Sequence, residues 1–286
     1  MTDLGDRLMA TIAVGGEPEW IGAGLDSIWV TNRGLGGVQE VDQTSNDVVG
    51  IVPVNEPCNG VIYAFASVWT ASCQDQELVR IDPIKRKVVA TIPTPVASDG
   101  EGQLAAAFGS IWISGQDGHL RRLNPDTNTF VADIEVPPGA DAVVAGSASV
   151  WLTDPAGNSL IEIDPATNTL RSTTPVGSHP QFLAADRDSV WVLNQDSGTV
   201  SRVGQVDHSV IAIDARSPGR DVGCIATGLG SAWVTVPNTP LIRLDDATNV
   251  VVERWAGDGG DCLTTGFGSV WLVNNSLGNV FRISPS

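Results

Sequence analysis

The sequence predicts an all-β, seven-bladed propeller with four antiparallel strands per blade, and three observations carry that prediction. Seven tryptophans each follow Ser and one other residue (Trp29, Trp69, Trp112, Trp151, Trp191, Trp233 and Trp271), at spacings of 40, 43, 39, 40, 42 and 38 residues. A period of this length is that of a four-stranded blade. Each repeat also carries the same order of strand-like runs. Lastly, fifteen residues follow Trp271 and 29 lead up to and include Trp29, so the interval across the chain ends is 44, close to the internal period.

The elements follow in order. Ahead of each Ser-x-Trp stands a run of small and apolar residues, as in "QLAAAFGS", "AVVAGSAS" and "CLTTGFGS", which suits innermost strands crowded around an axis. "IWVTN" and "VWVLN" read as second strands. A third strand alternates in "ELVRIDP", "HLRRLNP", "SLIEIDP" and "PLIRLDD" and ends in Asp, Asn and Pro turn chemistry. "VVATIPT", "FVADIEV" and "VVERWAG" read as fourth strands. The chain ends on a third strand, "NVFRISP", while the amino-terminal "LMATIAV" matches the fourth strands. Residues 8–14 are therefore expected to pair with residues 279–283 and complete the blade begun near Asp261. That clasp removes an open strand edge. Residues 1–286 read as one propeller domain.

The repeated Trp reads as scaffold, because seven rings cannot all face one solute, whereas one ring per blade fills the wedge between neighbouring sheets. Matched third-strand positions hold Glu40, Arg80, Arg122, Glu162, Arg202, Arg243 and Arg282. Their regularity assigns them to the scaffold as well.

These "SVWVLN" and "LVRIDP" elements, which run the length of the chain, resemble the seven-bladed propellers of the YVTN and YncE type and of the streptogramin B lyase (virginiamycin B lyase) type. The lyase resemblance implies histidines and a glutamate on one face, working with magnesium to eliminate a lactone ester. His179 falls at a comparable place, with Glu101 and Asp154 as acids to orient it. Where a second histidine is expected, neighbouring blades show Asp221-Val222-Gly223-Cys224 and Gly259-Gly260-Asp261-Cys262.

Composition narrows the function classes. With 33 acids against 16 Lys and Arg, the formal charge is -17. Such a surface repels phosphate backbones, so nucleic acid and anionic membranes are poor partners. The sequence holds no run of eighteen apolar residues, and no membrane insertion is expected. Walker, Gly-x-Gly-x-x-Gly, His-Glu-x-x-His and Gly-x-Ser-x-Gly signatures do not occur.

The repeat breaks in the loops entering the first strands: "GGEPEW", "NEPCNG", "ASDGEGQ", "PPGADA", "GSHPQF", "SPGRDVGC" and "GDGGDC". They carry Glu17, Glu19, Glu56, Asp99, Glu101, Asp141, Asp221, Asp258 and Asp261. The second-to-third loops on the same face add Asp75, Asp117, Asp154 and Asp196. Only Arg33 and Arg220 chiefly oppose these carboxylates. Convergent carboxylates raise one another's affinity for protons and cations, so this rim is expected to attract a cationic ligand or a divalent cation (Mg or Ca). "DGGD" offers Asp258 and Asp261 as metal ligands, without the alternating acids of an EF-hand loop. Asp also simply favours turns, which is the plainer account of each acid taken singly. Trp20 and Phe182 stand nine residues before the repeat Trp, where other blades hold Gly60, Gln103, Ala142, Cys224 and Cys262. Two aromatics among small residues would floor a ligand pocket or fill the channel mouth. Trp20, Arg33, Asp141, Phe182, Arg220 and Asp221 form the candidate ligand set.

Cys58 and Cys73 flank Trp69 so as to face each other across the first hairpin of blade 2, and a disulfide is expected. It would mark an oxidising, extracytoplasmic compartment. Cys224 and Cys262 share a register in adjacent blades and read first as inert apolar residues, second as a bridge. The leading expectation is a monomeric recognition or sensor propeller that takes a small molecule, glycan, peptide or cation at its channel mouth. A metal-assisted lyase or lactonase and an interaction scaffold are the alternatives.

Overall fold

A computed structural model describes residues 1–97, 100–216 and 223–286. Seven antiparallel sheets of four strands stand in a ring around a central channel, one sheet per Ser-x-Trp repeat. The innermost strands are Pro18–Gly24, Pro57–Ala64, Leu104–Ala107, Val143–Ala145, Pro180–Ala185, Cys224–Gly228 and Cys262–Gly266. Each contacts the next around the ring, and the seventh contacts the first.

The ring closes as the sequence predicts. Leu8–Ala13 lies antiparallel on Asn279–Ile283, and Ser284 N–H donates to the Arg7 carbonyl at 3.0 Å. Two further residues were not foreseen: Thr2–Asp3 adds a short parallel strand to the outer edge of blade 6, beside Val250–Ala256. The amino terminus thus straps two blades.

Burial follows the strand order. Second strands such as Ser189–Asn194 and Ser269–Asn274 are buried along their whole length, so apolar and small residues occupy both faces. Outer strands alternate, and each turns one residue inward: Ile12, Val52, Ile92, Ile134, Thr174, Ile213 and Trp255. The seven repeat tryptophans are 0–1% exposed. Burying each ring contributes on the order of 3 kcal/mol.

Every repeat Trp stands directly across from the charged third-strand residue. Five of these residues are Arg, and their guanidinium carbons lie 4.8–5.4 Å from the indole centroids. The same guanidinium donates to the repeat Ser and then reaches the next blade. Arg80 reaches the Pro125 carbonyl and Asn128, Arg122 reaches Pro165 and Asn168, Arg202 reaches Asp246 and Asn249, and Arg282 reaches Gln43 and Asn46. The receiving Asn holds a left-handed turn conformation, φ 54–61°, which Asn adopts more readily than most residues.

Where the third strand carries Glu, a nitrogen donor side chain replaces the turn Asn. Arg86 occupies the turn position and donates to Glu40 Oε2 at 2.6 Å. His208 occupies it beside Glu162, with Nε2 3.2 Å from Oε2. Both remain left-handed, at φ 49° and 55°. Neighbouring blades are therefore joined by matched pairs that differ from seam to seam.

Candidate functional site

Three successive registers on the inner strands build the channel mouth. Eight residues before each repeat Trp stand Ile21, Val61, Leu104, Val143, Leu183, Ile225 and Leu263, an apolar ring. One residue earlier lie Trp20, Gly60, Gln103, Ala142, Phe182, Cys224 and Cys262; one earlier again come Glu19, Asn59, Gly102, Asp141, Gln181, Gly223 and Asp261. The sequence therefore grades from apolar to polar along the axis.

Trp20 and Phe182 come from blades 1 and 5 and meet with ring centroids 6.4 Å apart, tilted at 42°. Small neighbours permit the approach: Gly102 lies under the Trp20 ring and Gly223 beside Phe182. The pair lines two spaces. One is the channel cavity, about 440 Å³, whose wall is the apolar ring. The other is a cup of about 150 Å³ bounded by Glu19, Trp20, Glu101, Phe182, Gly223, Asp261, Cys262 and Asn275.

The two halves of the mouth differ. Across blades 2 to 5 the polar groups satisfy one another: Asn59 Nδ2 donates to Gln103 Oε1 at 2.9 Å, and Gln103 Nε2 to Asp141 Oδ1 at 2.8 Å. Gln181 Nε2 and the Glu101 N–H also donate to Asp141. Asp141 is 1% exposed; burial raises its carboxyl above the ordinary range, and these donors pull against the rise. Among the described residues, blades 6, 7 and 1 show no such network of side-chain amides. There Glu19 Oε2 is enclosed without a hydrogen-bond partner among the described residues. Burial raises the Glu19 carboxyl; Arg33 opposes this, and Asp261 and Glu17 add to it. Burial raises Asp261 as well, against one hydrogen bond from the Asn275 N–H at 2.6 Å.

The other sequence candidates fall as follows. Arg33 is exposed at the rim, its N–H donating to the Glu17 carbonyl. Glu101 lines both cup and channel. His179 sits at φ 54° with its N–H on Asn158 Oδ1, in a turn against blade 4. Asp154 caps its own hairpin, accepting from the Gly157 N–H and the Ser159 hydroxyl. Asp258 is exposed in its loop, whereas Asp261 lines the cup. Asp99, Arg220 and Asp221 lie outside the described residues. Among those described, no three His, Cys, Asp or Glu side chains are grouped to share a metal ion. The described residues therefore offer no set that fits the magnesium that the lyase resemblance implies.

Both cysteine pairs are bonded. Cys58–Cys73 joins the first hairpin of blade 2, with Cα atoms 6.0 Å apart. Cys224–Cys262, expected first as inert thiols, staples the starts of the inner strands of blades 6 and 7 across 4.9 Å and lines the channel wall. Sequence reasoning placed Glu19 on the rim but left it out of the ligand set. Its signal was register: Glu19 and Asp261 share the position ten residues before the repeat Trp, in blades adjacent across the closure.

No protein-family model and no curated protein matches the chain. Among solved structures it is similar to a chain of the Kuenenia stuttgartiensis hydrazine synthase, at 14% identity over 96% of each chain and TM-score 0.75. It is also similar to a chain of a mitotic checkpoint complex, at 9% identity over 97% of this chain and 92% of that one, TM-score 0.82. At such identities the likeness establishes the seven-bladed fold alone.

Proposed function

We propose that this protein is a recognition propeller that binds a small ligand at the mouth of its central channel, in an extracytoplasmic compartment. One observation carries the reading: the mouth is where a regular scaffold departs from itself, with an aromatic pair from two distant blades flooring a cup bounded by Glu19, Glu101 and Asp261. Propeller folds commonly present such a site at the axis. Trp20 and Phe182 supply the contact surface, Arg33 tempers the acidic side, and Asp141 holds the network that keeps the opposite wall rigid. Two disulfides support an oxidising surrounding, and no helix of the described residues is long and apolar enough to cross a membrane. The YVTN and streptogramin B lyase kinship and the single-domain reading of residues 1–286 belong to this proposal.

The test is a screen of amines, glycans and short peptides by thermal shift, repeated on Phe182→Leu. A hit whose stabilisation vanishes in the variant supports the site. Hits unaffected by the variant place binding elsewhere, and a screen without hits counts against a mouth ligand.

A further inference from the structure

Resting on the mouth as the binding site, we infer that its ligand is a small organic cation, an ammonium or guanidinium group, seated on the Trp20–Phe182 pair and facing Glu19 and Asp261. The aromatic pair lines the cup, and a cation within about 6 Å of an indole centroid gains from the ring quadrupole, more so when desolvated. Glu19 Oε2 is an enclosed acceptor with no donor among the described residues, and an N–H donor on the ligand would supply one. A cationic ligand would offset the desolvation of Glu19 and Asp261 better than a neutral one. Burial already lifts both above the ordinary carboxylate range, with Arg33 opposing the rise at Glu19 and the Asn275 N–H opposing it at Asp261.

A bare metal ion fits less well. It needs several oxygen ligands at once, and no three candidate side chains are grouped for it among the described residues. Indole and phenyl faces offer it no lone pair. The cup volume, about 150 Å³, admits a compact headgroup, and the aromatic pair lines both the cup and the larger channel cavity. The ligand class is therefore a compact amine or guanidine with a short apolar substituent.

Matched probes test this by titration calorimetry on the disulfide-bonded protein at pH 7: benzylammonium, benzyltrimethylammonium and n-butylguanidinium against benzyl alcohol, with MgCl2 and CaCl2 as competitors. At least one cation is expected to bind at 1:1 and at least tenfold more tightly than benzyl alcohol. Glu19→Gln, an isosteric change, is expected to weaken it at least fivefold while leaving the melting temperature within a few degrees. If benzyl alcohol binds as tightly as the cations and Phe182→Leu abolishes both, the mouth remains a site and the cation assignment falls. If Mg2+ or Ca2+ displaces the probe stoichiometrically, a metal site replaces it. If no probe binds, or binding survives Phe182→Leu unchanged, the cation assignment and the mouth reading fall together.

Discussion

Exchanging one blade clasp for another is a direct test of how this ring is held. Glu40 is 8% exposed and accepts from the Ser27 hydroxyl at 2.8 Å and from Arg86 of the next blade at 2.6 Å. Arg86→Asn removes the only positive partner among the described residues and leaves a nearly buried carboxylate with the neutral Ser27 donor. Because the Arg86 side chain is 45% exposed, the cost falls below that of a fully buried pair, at about 2 kcal/mol. Glu40→Arg alone sets two guanidinium groups against each other at the seam, a loss of about the same size. Together, the two changes rebuild the arrangement of Arg80 with Asn128: a guanidinium over Trp29, bonded to Ser27 and to an Asn in a left-handed turn that suits it better than Arg. The double variant is therefore expected to recover to within about 1 kcal/mol of the parent, a coupling of about 3 kcal/mol. Thermal unfolding by circular dichroism reads this, each single variant melting lower by about 4 °C at this chain length. A double variant as unstable as the two losses added would refute the matched-pair account.

The remaining predictions concern the bridges, the mouth and the seam. Cys224→Ala with Cys262→Ala opens a loop of 38 residues and is expected to cost about 4 kcal/mol in the chain-entropy picture, against about 3 kcal/mol for the 15-residue Cys58–Cys73 loop; denaturant titration with thiol counting measures both. Glu19 has a folded pKa raised by burial, so its contribution to stability is fully present below the unfolded glutamate value, about 4.3, and is lost as pH rises through the folded value. Glu19→Gln is accordingly expected to gain on the parent between pH 4 and pH 7, and a pH-independent difference in melting temperature would contradict it. Deleting residues 1–13 bares the edge of Asn279–Ile283 and is expected to yield aggregation-prone protein in light scattering, where a monodisperse product would show the clasp to be dispensable.

The fold was legible because a propeller repeats its reasons. A Trp, a Ser two residues before it and a charged residue across the strand pair recur at each blade, and seven coincidences of spacing outweigh the ambiguity of any single strand. The closure by Leu8–Ala13 was readable for the same cause, since a displaced fourth strand keeps its pattern. Thr2–Asp3 was not, because two residues in a parallel edge pairing carry no periodicity. At the mouth, Trp20 and Phe182 stood out as large residues in a small-residue register. Asp141 and Glu19 could not be told apart there, since each is an acid in the same register. What separates them is whether amides from neighbouring blades arrive: Gln103 and Gln181 reach Asp141, and among the described residues nothing equivalent reaches Glu19 Oε2. That difference arises between blades and leaves no mark within one. The bonding of Cys224 to Cys262 was obscured likewise, because it depends on how closely two inner strands converge.

The amino-terminal strap has a mechanical corollary. Tension applied at Met1 meets Thr2–Asp3 first, a two-residue parallel contact, and only then the longer antiparallel run of Leu8–Ala13. A pull from that end would thus peel the molecule in two graded steps, with blade 6 releasing before blade 7. Load at the opposite terminus falls at once on Asn279–Ile283, hydrogen-bonded on both edges, and must shear both neighbours together. The two ends of the chain, though adjacent in space, would differ in their resistance to force.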